Sequence, residues 1–252
     1  MKLTLVHLFP KLMNIYGDKG NITALRKRCE WRGIDLEVLA VDDQRDFELI
    51  SRGDLFFFGG GQDRDQMHVW EQIANSKEQL VNLINERIDA RAVFLLICGG
   101  YQLFGNSFLD ANGVHIPGLG ILNIATIAPG SEVKHRCIGN IVIQTKLDIE
   151  PQTLVGFENH GGQTKLGEGL APLGKVVKGY GDNVHDGVEG CIHKNIFGCY
   201  MHGALLPKNP HFADYLIDLA LKSKYPNEKV SLKKLDDTLE MSAHAYTKKL
   251  IV

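Results

Sequence analysis

Residues 92–97, Ala-Val-Phe-Leu-Leu-Ile, are an unbroken apolar run that leads directly into Cys98, Gly99 and Gly100. A run of this length and composition is a strand buried on both faces, the kind found inside a parallel sheet. Two glycines after it let the backbone turn sharply and let a ligand approach closely. A short helical stretch follows. A cysteine on such a strand-to-helix turn is held up at the carboxyl edge of the sheet, where the next helix offers N–H groups and a positive dipole end. That environment favours a reactive thiolate. A buried structural thiol fits the same residues, because free cysteine is among the most buried residue types.

The first hundred residues alternate strands with helices, which predicts a parallel, doubly wound sheet. Strands are expected at 3–9, 35–41 and 54–58, the last running into Gly59, Gly60 and Gly61. Asn21 reads as the N-cap of a helix through Ile22, Leu25, Cys29 and Trp31. Arg26, Lys27, Arg28 and Arg32 read as its solvated face. Further helices are expected at 67–74 and 76–88. From Gly118 the pattern changes to glycine-punctuated strands at 118–126, 138–145, 153–158, 174–181 and 190–200, read as antiparallel. Helices at 209–222 and 235–250 close the chain. No linker or repeat interrupts residues 1–252, so one domain is expected, with 224–252 as a C-terminal helical extension.

Composition narrows the function. The chain is 44% hydrophobic and 23% charged with net charge -2, and its lysines are dispersed rather than striped with aromatics, which argues against nucleic-acid binding. No apolar run is long enough to span a bilayer, and no signal-peptide pattern opens the chain. Cys29, Cys98, Cys137, Cys191 and Cys199 are odd in number and widely spaced, which suits reduced thiols in the cytoplasm. No phosphate-binding G-x-x-x-x-G-K-[ST] loop occurs, and the triple glycine lacks the G-x-G-x-x-G form.

A thiol nucleophile needs a base. His202, where a late apolar strand ends at Gly203, is the best placed of the histidines to reach the same sheet edge. His160 lies in a second glycine-flanked turn. Cys191, His193, Cys199 and His202 have the donor types of a zinc site, but strand alternation points Cys199 and His202 apart, so no metal is expected.

Four motifs then occur in order: the triple glycine with Gln62-Asp63-Arg64-Asp65-Gln66, Cys98-Gly99-Gly100-Tyr101-Gln102, Gly156-Phe157-Glu158-Asn159-His160-Gly161-Gly162, and Gly198-Cys199-Tyr200-Met201-His202-Gly203. Together they resemble class I glutamine amidotransferases of the cobyric-acid-synthase-like branch, over about residues 3–221. Within that branch the chain is most similar to the GatD-type subunits of lipid II isoglutaminyl synthase. The resemblance implies a flavodoxin-like α/β fold with a mostly parallel central sheet, flanking helices and added antiparallel strands. It implies that Cys98 attacks glutamine, that His202 is its base, and that Arg136 binds the substrate α-carboxylate. Gln102 is either a substrate contact or a helix-surface residue. Backbone N–H groups of Gly60, Gly61 and Gly99 are the candidate oxyanion donors.

The same resemblance implies a heterodimer with a Mur-ligase-like subunit of the MurT type. That partner would use ATP and Mg to amidate the α-carboxyl of D-glutamate in lipid II, and this chain would need no cofactor of its own. Another acceptor such as cobyrinate, a Cys-elbow hydrolase or peptidase of the same fold, and a non-catalytic binding module are the alternatives. Two departures stand out. Cys199 and Met201 replace the commoner Thr and Leu, and Ala204 stands where many class I enzymes carry the acid of His-x-Glu. The expectation is that the partner supplies this acid. The alternative is a Cys98–His202 dyad oriented by a backbone carbonyl or by another acid of this chain, such as Glu158.

Overall fold

The longest buried apolar runs become the middle of one sheet. In the computed structural model, which describes residues 1–130, 132 and 136–250, the chain opens with β1 (Lys2–Leu8), α1 (Lys19–Glu30), β2 (Asp35–Val41), a 3-10 helix (Gln44–Arg52) and β3 (Leu55–Phe58). Next come α2 (Asp63–Ile73), α3 (Lys77–Asp89), β4 (Val93–Ile97) and α4 (Gly99–Phe104). Short strands follow, β5 (Ser107–Leu109), β6 (His115–Pro117) and β7 (Ile124–Ile127), then the longer β8 (Cys137–Thr145) and β9 (Thr153–His160). The remaining strands are β10 (Gln163–Leu166), β11 (Gly174–Lys178), β12 (Val188–Glu189), β13 (Cys191–His193) and β14 (Ile196–Cys199). Helices α5 (Pro210–Lys224) and α6 (Thr238–Leu250) end the chain.

The central sheet has the order β13-β14-β4-β3-β1-β2 and is parallel except for β13. Every residue of β3 and β4 is buried, whereas β2, at the edge, is mostly part-exposed. Phe56 and Phe94, paired across those two strands, stack with ring centroids 4.4 Å apart. Helix α1 packs on α5, and α3 packs on the 3-10 helix. The winding direction reverses between β1 and β3, so the crevice outside their carboxyl ends is where such a sheet binds ligands. The flavodoxin-like α/β expectation holds.

Two smaller sheets, β10-β7-β5-β6 and the antiparallel β12-β11-β8-β9, take up the glycine-punctuated region as far as Glu189. The stretch expected as one antiparallel strand at 190–200 instead divides into β13 and β14 of the central sheet, where β14 runs parallel to β4. The strand expected at 118–126 starts only at Ile124 and pairs in parallel with β5. Its first residues are occupied elsewhere: the N–H groups of Leu119, Gly120, Ile121 and Leu122 donate to carbonyls of 103–105 and cap the end of α4.

Helix boundaries moved for reasons written in side chains. Helix α1 begins at Lys19, not after Asn21, whose amide oxygen accepts the N–H of Leu206 at 2.8 Å. Helix α2 begins at Asp63, earlier than the expected 67, because Gln62 and Asp65 form a capping box. The solvated basic face holds at Arg26 and fails at Arg28 and at Arg32, whose guanidinium is tied to Asp214 at 2.6 Å. Arg28 is buried and its guanidinium donates to Asp214 of α5 at 2.6 Å and to Asp237, just before α6, at 2.6 Å. Burial disfavours its charge, but the two carboxylates outweigh that and raise its pKa. Helix α6 lies against β8, β9 and the 3-10 turn Leu206–Lys208, where His244 meets the Thr153 hydroxyl at 3.0 Å and the Lys208 carbonyl at 2.9 Å. Among the described residues no helix is long and apolar enough to cross a membrane.

Candidate active site

Cys98 caps β4 with φ +48°, ψ -106°, a backbone conformation that a residue with a Cβ adopts only under constraint. Such strain costs about 1–3 kcal/mol and persists where the surroundings over-determine it. Here the Cys98 N–H donates to the Cys199 carbonyl at 2.8 Å, extending the β4–β14 pairing into the turn. The Gly100 N–H donates to the Gly59 carbonyl at 3.1 Å, locking the β3 and β4 turns together. A Cβ at Gly100 would stand 2.5 Å from the Phe58 carbonyl oxygen, so this join requires glycine.

His202 follows β14 and is fully buried. Its backbone bridges to Phe157 of β9, with the His202 N–H donating to the Phe157 carbonyl at 2.6 Å. The ring Nδ1 lies 3.3 Å from the Asp18 carboxylate, and the other Asp18 oxygen accepts the Gly60 N–H at 2.7 Å. Nδ1–H donating to Asp18 leaves the Nε2 lone pair, which has no other protein partner, for a thiol proton. Burial opposes charge on the ring, but the neighbouring Cys98 sulfur and the Asp18 carboxylate outweigh it and push the His202 pKa up to about 10. The site therefore holds a proton readily on His202 when Cys98 is ionised.

Two expectations need correcting. Within this chain the carboxylate beside the His202 ring belongs to Asp18, on the loop between β1 and α1. Ala204 packs against Gly20, where an added Cβ would lie 2.5 Å from the Ala204 Cβ. Glu158, the acid of this chain offered as the alternative, does not pair with that ring. Its carboxylate accepts the Tyr180 and Gly181 N–H groups at 2.8 and 2.9 Å and lies 4.0 Å from His160. Gly60 is unavailable as an oxyanion donor because its N–H is spent on Asp18. Glycine serves there by letting His202 close in: a Cβ would stand 2.5 Å from the His202 Cε1. The Gly61 and Gly99 N–H groups have no acceptor among the described residues and remain the oxyanion candidates.

A cavity of about 430 Å³ opens over Cys98, lined also by Tyr16, Gly61, Gln102, Arg136 and His160. Gln102 is buried rather than on a helix surface. Its amide oxygen accepts from Gln66 at 2.8 Å and its amide nitrogen donates to the Tyr200 hydroxyl at 3.0 Å. Tyr200 in turn meets Thr164 at 2.6 Å and stacks on His160 with centroids 3.8 Å apart. Arg136 is exposed at the rim and donates to the Asn159 side-chain oxygen at 2.9 Å, while Asn159 donates to the Tyr16 hydroxyl at 2.8 Å. The Tyr16 and His202 rings meet in a T-shaped contact, centroids 5.0 Å apart, so the rim is tied back to the base.

All the cysteines are free and buried, and burial pushes the thiols of Cys29 and Cys191 up to about 12 and that of Cys137 to about 11; Cys199 is raised as well. Only Cys98 lines the cavity. Among the described residues no three His, Cys, Asp or Glu side chains converge to hold a metal ion.

Comparison with known proteins agrees with this geometry. A family model described as a CobB/CobQ-like glutamine amidotransferase domain matches residues 4–210. The subunit GatD of the glutamine-hydrolysing lipid II isoglutaminyl synthase of Streptococcus pneumoniae is 39% identical over 238 residues, covering 94% of this chain and 87% of its own. The Staphylococcus aureus GatD subunit is 37% identical, covering 96% and 93%. A cobyric acid synthase of Listeria welshimeri is 36% identical over 148 residues, 54% of this chain and 27% of its own. The crystal structure of a glutamine amidotransferase from Thermotoga maritima shares the fold, with TM-score 0.52 at 15% identity over 98% of this chain and 94% of that one.

Proposed function

The chain belongs to the CobB/CobQ-like glutamine amidotransferase family, and from that premise we propose that it is the glutaminase subunit of a lipid II isoglutaminyl synthase. The observation that carries the chemistry is Cys98, which lines the cavity on its strained elbow, with His202 beside it and Asp18 behind that ring, both fully buried. His202 takes the thiol proton, and the Cys98 sulfur attacks the carboxamide carbon of glutamine. The oxyanion that forms is held by the Gly61 and Gly99 N–H groups, each such donor worth about 3 kcal/mol in related chemistry. His202 gives its proton to the departing ammonia and then activates the water that cleaves the thioester to glutamate. Asp18 keeps the ring in the required tautomer and stabilises the imidazolium. Arg136 meets the substrate α-carboxylate, and Gln102, fixed between Gln66 and Tyr200, shapes the wall beside it.

The acceptor of the ammonia is the finer part of the proposal. Support for lipid II comes from similarity that runs nearly end to end with the GatD subunits, against about half the chain for the cobyric acid synthase. On this reading a Mur-ligase-like subunit of the MurT type binds the chain in the cytoplasm. That partner, with its own ATP and Mg, activates the D-glutamate α-carboxyl that the ammonia converts to D-isoglutamine. The test is co-expression with such a ligase, followed by glutamine- and ATP-dependent amidation of lipid II. Amidated lipid II is expected; amidation of cobyrinate with lipid II left untouched would overturn the choice of acceptor.

A further inference from the structure

The cavity over Cys98 carries charges that the hydrolytic steps leave unused. Its charged lining among the described residues is Asp63, Arg64 and Arg136. Arg64 is paired loosely with its neighbour Asp65, 3.9 Å away. Arg136 is bonded to the neutral Asn159 and makes no ion pair with a carboxylate among the described residues. Asp63, the first residue of α2, makes no ion pair with any described cation, although it lines the same space. The nearby Asp110 does not line this cavity, and its Oδ1 already accepts the N–H groups of Asn112 and Val114 at 2.8 and 2.7 Å. One cavity thus holds one carboxylate and one guanidinium that make no ion pair among the described residues. Free glutamine carries the matching pair, an α-ammonium and an α-carboxylate, on one carbon.

We propose that Asp63 binds the α-ammonium of glutamine opposite Arg136 on the α-carboxylate, and so makes the site selective for a free zwitterionic amino acid. This rests on the reading of the cavity as a glutamine site and adds the residue that decides which carboxamides are accepted. The electrostatics run the same way: burial and Asp110 push the Asp63 carboxyl up, and the Arg136 guanidinium pulls it down, so the two lining charges feel each other. An arriving ammonium would favour the carboxylate further. A purely structural role for Asp63 also exists, since an acid in the first turn of a helix complements its dipole. That role makes no distinction between substrates.

The experiment measures kcat/KM for ammonia release from L-glutamine and from 4-carbamoylbutanoate, which is glutamine without its α-ammonium, using the chain assembled with its ligase subunit. The wild type is expected to prefer glutamine by about 10- to 100-fold, the range of one charge-assisted hydrogen bond. Asp63→Asn should shrink that preference to about threefold or less, mainly through KM for glutamine, with Asp63→Glu recovering part of it. Asp63→Ser, which keeps a residue suited to a helix start, is expected to behave like Asp63→Asn if the latter does not fold. A wild type without preference, or a preference that survives in the variants, would overturn the proposal. Release of ammonia from neither substrate by the wild type would overturn the glutaminase reading itself, and this proposal with it.

Discussion

Two unlike regions meet at Cys98. The parallel sheet contributes Cys98 and the Gly59–Gly61 turn from its strand ends and Asp18 from the loop that leads into α1, and His202 follows its last parallel strand. The smaller sheets contribute Arg136, Asn159 and His160 from the start of β8 and the end of β9. Asp18 and His202 are wholly inaccessible, while Arg136 is exposed. The difference follows from what each group must do. Reacting groups profit from a dry, preorganised setting in which charges need not reorganise. A guanidinium that captures a carboxylate stays hydrated until the substrate arrives, because a buried and unpaired charge is costly. The two regions are joined where it matters, through the Phe157–His202 backbone bridge and the Tyr16–Asn159 hydrogen bond.

The sharpest division concerns the thiols. Cys98→Ala should abolish ammonia release while leaving thermal stability close to wild type, since the elbow geometry is set by backbone bonds. A glutamine-mimicking electrophile should label Cys98 first. Mass spectrometry that finds Cys29 or Cys137 labelled equally fast would break the assignment of the chemistry to the parallel sheet edge.

A second division concerns pH. Burial raises the Glu158 carboxyl from 4.5 to about 7, against the two backbone N–H groups that favour its charge. Below pH 4.5 both folded and unfolded chains hold this proton. Between 4.5 and 7 the folded chain keeps a proton that the unfolded chain has lost, so this group's contribution to stability declines as pH rises, and above 7 the deficit is constant. Glu158→Gln removes that dependence. The variant should gain on the wild type by up to about 3 kcal/mol between pH 5 and 8 in chemical denaturation. A difference that does not change with pH would show that the carboxyl titrates normally.

A smaller effect is expected from Arg136→Lys, which keeps the charge but not the fork. KM for glutamine should rise about 10- to 30-fold with kcat nearly unchanged, in keeping with the loss of one charge-assisted contact. Unchanged KM would remove the antiparallel region from substrate capture.

What the sequence disclosed follows the same line between local and distant information. The Cys98 elbow and the α/β winding were legible because each is written in contiguous residues: an apolar run, a nucleophile, two glycines. Asp18 was not, although Tyr16-Gly17-Asp18-Lys19-Gly20 is a glycine-rich loop leaving the carboxyl end of β1, which is the signal that could have found it. Reading Asn21 as the helix cap placed Asp18 in an unremarked loop, and its partner His202 is 184 residues away. Arg28 was misread for the same reason, since its carboxylates sit at 214 and 237. Gly60 was assigned a substrate-facing N–H because nothing local shows that Asp18 claims it.

The most direct test is kcat for glutamine hydrolysis by Asp18→Asn beside the wild type, under identical conditions and with folding verified by thermal denaturation. If Asp18 orients His202 and stabilises its imidazolium, kcat falls by about 1,000- to 10,000-fold, as for the buried acid of serine-protease triads, while KM changes little. A folded Asp18→Asn protein that keeps kcat within about threefold of wild type would contradict the assignment of Asp18 as the acid behind His202.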